Sequence, residues 1–293
     1  MKDPNDRLVP LLIEIQRSID RDIDLAALAK RYGASPFHFH RTFASALGET
    51  PKKHVDRLRL ERAAFLIAVT EEPILDIALA VGFKNPETLS RNFRKFLGYS
   101  PRSYRQMARR AQVDRVANTD FHSDPEFSLS RARFKKLPAR TLLALHHIGD
   151  YGVLHERFGT RADPWNELLA WARERGVAAG GERIGVYYDD PTVTPKPLHR
   201  AEICVPVAGA VAGTQHIRSI PFEGGLYAIV EFEGRISSVL SAFRGTADEI
   251  RRSEFYTFAS GPPLEIVRAT NVNGAAGVHR IDVCFAVQKR GRA

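Results

Sequence analysis

The sequence predicts an all-α N-terminal domain with two helix-turn-helix units joined by a helix, followed by an α+β C-terminal domain of two strand-helix-strand-strand repeats. Three observations predict this. Helical spacing fills the first third, and short β-rich runs take over beyond about residue 132. The helical part repeats itself at an offset of 50 residues. The charge is also split: residues 1–115 carry 21 basic and 14 acidic side chains, a net of +7, out of +9 for all 293 residues. This basic part fits an anionic partner such as nucleic acid, and equally a plain basic solvated surface.

Composition narrows the classes further. At 44% hydrophobic and 26% charged residues the chain reads as soluble and globular. Two cysteines give no disulfide framework and no four-thiolate zinc site, which fits a reducing cytoplasm. MKDPNDRLVPLLIEIQ has early acids and no long apolar core, so it reads as no signal peptide. No uncharged stretch reaches the roughly 18 residues of a membrane span. No cofactor motif, P-loop or nucleophile triad is present, and no metal is expected.

Helical spacing or good helix formers cover residues 6–19, 24–31, 36–46, 52–68, 74–80, 86–96 and 101–110. GAS, GETP, TEEP, GFKN and GYSP punctuate them with turn and cap signals. SPFHFHRTFASALGETP (35–51) superposes on NPETLSRNFRKFLGYSP (85–101). Ser35 and Asn85 fall where an N-cap oxygen is wanted. Pro36 and Pro86 fall at the first helical position, where a missing N–H costs nothing. Upstream, LAALAKRYG matches ILDIALAVG. Each unit is a short helix, a glycine turn and a second capped helix.

This repeat decides how ASPFHFHRTF is read. On a helix His38 and His40 stand roughly 200° apart, so they are no chelating pair. Phe39, Phe43 and Leu47 face the core, leaving Phe37, His40 and Arg41 outside. In the second unit Leu89, Phe93 and Leu97 face in, and Glu87, Ser90 and Arg91 face out. A major groove admits one such helix, and arginine can bind guanine O6 and N7 at once. Lys52, Lys53, Arg57, Lys84, Arg94, Lys95, Arg102 and Arg105 are candidates for phosphates, which fix register without reading sequence. The joining helix, 52–68, is about 25 Å long at 1.5 Å per residue. It can place two recognition helices near the roughly 34 Å spacing of successive major-groove faces, with no dimer required.

With these features the chain resembles the DNA-binding domain of the AraC/XylS family of bacterial transcription regulators over residues 8–107. The carrying motif is I-x-x-I-A-x-x-x-G-F (74–83) through F-R-K-x-x-G-x-S-P-x-x-Y-R (93–105). The resemblance implies that Phe37, His40 and Arg41 in the first unit, and Glu87, Thr88, Ser90 and Arg91 in the second, sit at base-reading positions. It also implies double-stranded promoter DNA as partner, with RNA polymerase as a further one.

Residues 111–130, polar and without sustained period, read as a linker, which makes the domains 1–110 and 131–293. The β-rich runs are RTLLALHH, IGVYY, AEICVPV, QHIRSI, LYAIVEF, FYTF, LEIVRA and RIDVCFAV, with helical stretches at 153–175 and 236–251. LPARTLLALHHIG (137–149) matches IPFEGGLYAIVEFEG (220–234), and Glu202-Ile-Cys204 matches Asp282-Val-Cys284. Both cysteines read as small buried hydrophobes.

This half, about 131–289, resembles the GyrI-like effector-binding domain of multidrug-responsive regulators. The features are H-x-G at 147–149, LLAWARERG, GVYYDDP and the glutamate of PPLEIV. The resemblance implies that Glu265, ringed by aromatics, receives a small hydrophobic or cationic effector. Cation–π attraction and charge pairing supply the physics. Candidate aromatics are Tyr187, Phe222, Tyr227, Trp165 and Phe258, each of which also fits a core position. Glu265 itself fits either an exposed edge or the ligand carboxylate. The leading reading is a one-component regulator, not an enzyme. Hydrolysis of reactive small molecules by Glu265 and Tyr187 is an alternative, and a protein-docking module is another.

Overall fold

The computed structural model describes residues 4–118, 127–191, 193–214, 216–259, 261–270 and 277–290. They fall into two compact units that divide between Asp114 and Arg115.

The first unit is helical. Its elements are α1 (Pro4–Arg17), α2 (Leu25–Tyr32), α3 (Pro36–Leu47), α4 (Pro51–Val69), α5 (Ile74–Ala80), α6 (Pro86–Leu97) and α7 (Pro101–Asn118). Side-chain oxygens of Asp24, Ser35, Thr50, Asn85 and Ser100 accept backbone N–H groups at helix starts, which satisfies donors that no helical carbonyl reaches. At the second turn Gly82 has φ +88°, and a Cβ there would stand 2.5 Å from the Ile19 carbonyl oxygen. Only glycine lets this turn approach the chain after α1 so closely. Arg59 seals the contact by donating from Nε to the same carbonyl at 2.8 Å.

The offset of 50 extends to geometry. Phe43 meets His54, and Phe93 meets Tyr104, each pair with ring centroids 5.4 Å apart and planes at 74°. Pro51 and Pro101 are both buried. Leu60, Ala63, Ala64 and Ile67 of α4 pack with Ile77, Leu89 and Phe93, so α4 supports both neighbours.

Around His54 the core is charged. Arg57 Nη2 donates to Glu49 Oε1 at 2.7 Å and Nη1 to Glu61 Oε1 at 2.8 Å, and His54 Nδ1 lies 2.7 Å from Glu49 Oε1. Burial pushes the Glu49 carboxyl up, but the hydrogen bonds from His54 and Arg57 outweigh it and hold the pKa at about 2. Two sequence expectations are corrected by these contacts. Arg57 is 6% exposed and already paired, so it is not free for phosphate. Arg105 spends its guanidinium on the carbonyls of Ile67 and Glu72.

The second unit is one ten-stranded antiparallel sheet with helices. Its elements are β1 (Phe127–Leu129), β2 (Arg133–Leu137), β3 (Arg140–Ile148), α8 (Tyr151–Glu156), α9 (Pro164–Glu174), β4 (Arg183–Tyr187), β5 (Arg200–Val207), β6 (Ile217–Phe222), β7 (Gly225–Arg235), α10 (Val239–Arg252), β8 (Tyr256–Phe258), β9 (Leu264–Thr270) and β10 (Val278–Lys289). The strand order is β1-β7-β10-β9-β4-β5-β3-β6, with β2 on β7 and β8 on β10. The edges are blunted: β2 exposes Lys135 and Lys136, and β6 exposes Pro221.

Alternation along the strands gives the sheet two buried faces. Leu142, Ala144, Ile184, Cys204, Ile266 and Cys284 join one cluster with Leu137, Ile220 and Ile229. The other face takes the helices: Trp165 of α9 donates its indole N–H to the Cys204 carbonyl at 3.1 Å.

Three boundaries differ from the sequence reading. Helix α7 runs on to Asn118 and β1 begins at Phe127, so both ends of the segment read as a linker are regular structure, and residues 119–126 lie outside the described residues. The stretch 153–175 is two helices, because Asp163 caps a new start by accepting from Trp165 N at 2.9 Å. The stretch 236–251 opens with a 3-10 turn before α10.

Replacing Glu49 by Gln is expected to destabilise the helical unit by about 3 kcal/mol at pH 7, the scale of removing one partner from a buried ion pair. Its pKa is depressed in the folded chain, so its contribution is present above about pH 4.5 and lost as pH falls through about 2. Urea unfolding followed by circular dichroism should show a gap between wild type and variant that closes over that range. A gap independent of pH would show that the Glu49 charge does not support the fold.

Candidate functional sites

On α3, Phe39 and Phe43 are 2% and 0% exposed, while Phe37 is 77% exposed. His40 and Arg41 are exposed beside Phe37, one helical turn on. On α6, Leu89 and Phe93 are buried, Glu87 and Arg91 are exposed, and Thr88 and Ser90 are partly exposed. Each helix thus presents its polar face at its N-terminal turn. A surface cleft of about 500 Å³ runs between α4 and the start of α6, lined by Lys52, Arg59, Lys84, Thr88 and Arg91 together with Asp22 and Asp56. Lys53, Arg94 and Arg102 are exposed. Cations therefore lie beside the exposed N-terminal face of α6.

The second site is a carboxylate. Glu265 stands on β9 in register with Gly185 of β4 on one side and Val283 of β10 on the other. It is 0% exposed. Tyr187 donates its phenol O–H to Glu265 Oε2 at 2.7 Å. Burial, and then the Glu265 charge, push the Tyr187 phenol well above its ordinary pKa, so its proton stays on the phenol. The ring lies over Gly185, where a Cβ would come within 2.8 Å of it. Glycine at 185 is what lets the ring lie flat along its own strand and reach the carboxylate two strand positions away. Among the described residues Glu265 Oε1 has no hydrogen-bond partner.

Aromatic groups surround the pair. Tyr151 and Phe243 meet the Tyr187 ring edge-on, at 5.0 and 6.0 Å between centroids. Phe243 leads to Phe285, and Phe285 to Phe258. His155 places Nε2 2.9 Å from the Tyr187 hydroxyl oxygen. Among the described residues no group of three or more His, Cys, Asp and Glu is placed to hold a metal ion.

Of the aromatics expected around Glu265, Tyr187 touches it and Phe258 joins the ring chain. Trp165 packs beneath α9 against Phe158, with centroids 4.6 Å apart. Phe222 and Tyr227 are corrections. They pack with each other and with the cluster on the opposite face of the sheet. Tyr227 pairs with Ala286, one residue from Phe285, and one residue along a strand reverses the face. His155, Tyr151 and Phe243 were not expected. A lone histidine inside a helical stretch carries no signal of its own.

Residues 28–107 match the model of a helix-turn-helix domain, and residues 132–288 match that of a GyrI-like small molecule binding domain. The chain belongs to the AraC/XylS family of transcription regulators and carries a GyrI-like domain at its C-terminal end. It is similar to the regulatory protein SoxS of Salmonella typhimurium, 33% identical over 100 residues, which is 34% of this chain and 94% of that protein. It is also similar to the HTH-type transcriptional regulator Rv1931c of Mycobacterium tuberculosis, 38% identical over 82 residues, or 28% of this chain. That match spans only 32% of Rv1931c. Among solved structures, an AraC-type regulator from Chromobacterium violaceum aligns at 28% identity and TM-score 0.34, covering 36% of this chain and 93% of that one.

Gly185→Ala is expected to force the Tyr187 ring off the carboxylate, and Tyr187→Phe to remove the same bond. Each should cost about 1–3 kcal/mol, the range for stranding a buried polar group. Denaturant unfolding followed by tryptophan fluorescence reads this. Unchanged stability in both would mean that Glu265 does not depend on the phenol.

Proposed function

We propose that this protein is a one-component transcription regulator that reads promoter DNA with α3 and α6 and binds a small hydrophobic or cationic effector at Glu265. The buried carboxylate with one unpartnered oxygen, set among aromatic rings, carries the effector reading. Such a group offers a charge partner, and the ring faces add cation–π attraction. In this reading Tyr187 orients the carboxylate, and Phe243, Phe285 and Phe258 form the apolar wall.

On the DNA side, Phe37 lies against a thymine methyl, and Arg41 and Arg91 bind guanine edges. His40, Glu87, Thr88 and Ser90 complete the base-reading set. Lys52, Lys53, Lys84, Arg94 and Arg102 hold phosphates. RNA polymerase is the second macromolecular partner, and the cytoplasm is the compartment that gives access to both. No helix among the described residues is long and apolar enough to cross a membrane. The C-terminal unit is best understood as two strand-helix-strand-strand copies. The order β7-β10-β9 followed by β4-β5-β3 supports this, because it reads alike from either end.

Arg41→Ala and Arg91→Ala should each cost about 1–3 kcal/mol and relax specificity at one base position. Lys52→Ala should weaken binding on all sequences and lower the salt slope by about one. Footprinting and salt titration measure both, and an unchanged footprint in the arginine variants would show the wrong faces were assigned. For the effector, a lipophilic cation such as phenylbutylammonium should quench tryptophan fluorescence saturably and shift DNA affinity, and Glu265→Gln should abolish both. Turnover of the probe with no effect on DNA affinity would instead overturn the sensor reading.

A further inference from the structure

Tyr187 has one hydroxyl proton, and it goes to Glu265 Oε2 at 2.7 Å. His155 Nε2 stands 2.9 Å from the same hydroxyl oxygen, so it must be the donor there, and the imidazole carries a proton on Nε2. The nitrogen is also 3.6 Å from Glu265 Oε2, which is near but outside hydrogen-bond distance. The carboxylate thus has one true hydrogen bond, one nitrogen close by, and a second oxygen with no partner. His155 is at the same time half in an aromatic setting. Its ring meets Phe158 edge-on at 5.0 Å and tilts against Tyr187 at 5.6 Å.

The backbone beneath His155 is well held. Tyr151 donates its hydroxyl proton to the Arg200 carbonyl at 2.6 Å, and Asp150 caps the first turn of α8. Leu154 is 1% exposed. The His155 side chain is 13% exposed, next to exposed Val153 and Glu156. The imidazole can therefore leave by rotating toward solvent while α8 stays in place.

We propose that His155 is a resident occupant of the effector site. Its Nε2–H stands on the Oε2 side of the carboxylate, beside the Tyr187 hydroxyl, so an ammonium ligand that bridges both carboxylate oxygens must displace it. His155 is then a specificity residue: it lowers affinity for protonated amines while leaving uncharged ligands of the same shape almost unaffected. This rests on the reading of Glu265 as the effector carboxylate.

The test is calorimetric titration of the full chain with phenylbutylammonium and with uncharged phenylbutanol. Wild type, His155→Leu and Glu265→Gln are compared. His155→Leu should bind the ammonium about tenfold more tightly, the scale of one released hydrogen bond, with little change for the alcohol. If Glu265→Gln binds the ammonium as wild type does, the effector reading fails and this proposal with it. If Glu265→Gln loses binding and His155→Leu is no tighter, or gains equally for both probes, the carboxylate stands and the role of His155 falls. Should His155→Leu not fold, long-range proton–nitrogen spectra of wild type decide. The His155 Nε2 signal must shift on saturation with the ammonium, and an unmoved signal refutes displacement.

Discussion

A carboxylate without exposed surface is tenable only beside a group that donates to it, and the Tyr187–Glu265 bond fixes much of the second unit. An unpaired charge in such a place would cost several kcal/mol. The bond demands that a tyrosine two residues past the register position fold back along its own strand. That in turn demands glycine at 185. It also sets which face of β4, β9 and β10 receives α8 and α10, because Tyr187, Glu265 and Phe285 must share a face. Isoleucine, leucine and cysteine at the alternate positions then fill the other side.

The helical unit shows one backbone solution filled with two chemistries. His54 and Tyr104 hold the same ring geometry against Phe43 and Phe93. Around His54 the neighbours are Glu49, Arg57 and Glu61, with the guanidinium bridging the two carboxylates. Fifty residues on, the places of Glu49 and Arg57 are taken by Tyr99 and Met107, which are 48% and 40% exposed. What recurs is the apolar contact under each second helix. The outer ring has been free to change.

Much of this was legible beforehand, for identifiable reasons. Helices α2, α3 and α6 each carry a side-chain cap at the start and a left-handed glycine at the end, so their limits are written locally. The eight strands with apolar alternation were legible too. The strand RFKKL was not, since an edge strand with two lysines lacks a buried period, and Phe127–Leu129 is too short to show one. The burial of Arg57 depends on Glu49, eight residues away and in a turn. Phe222 and Tyr227 fall on the other face for a specific reason. Period two shows that Tyr227 and Phe285 each have a face, but only the pairing of β7 with β10 tells that the faces differ. His155 reaches the carboxylate through a helix that starts at Tyr151, and nothing local in YGVLHE points there.

The blunted rims of the sheet have a consequence for the life of the protein in a crowded cell. A sheet eight strands across would offer rows of open amides and carbonyls at either end, a template on which further chains could stack without limit. Lys135 and Lys136 at one rim bring like charges together whenever two copies approach there. Pro221 at the other removes a donor from the row. These three positions thus act against open-ended stacking of one copy's sheet on another's.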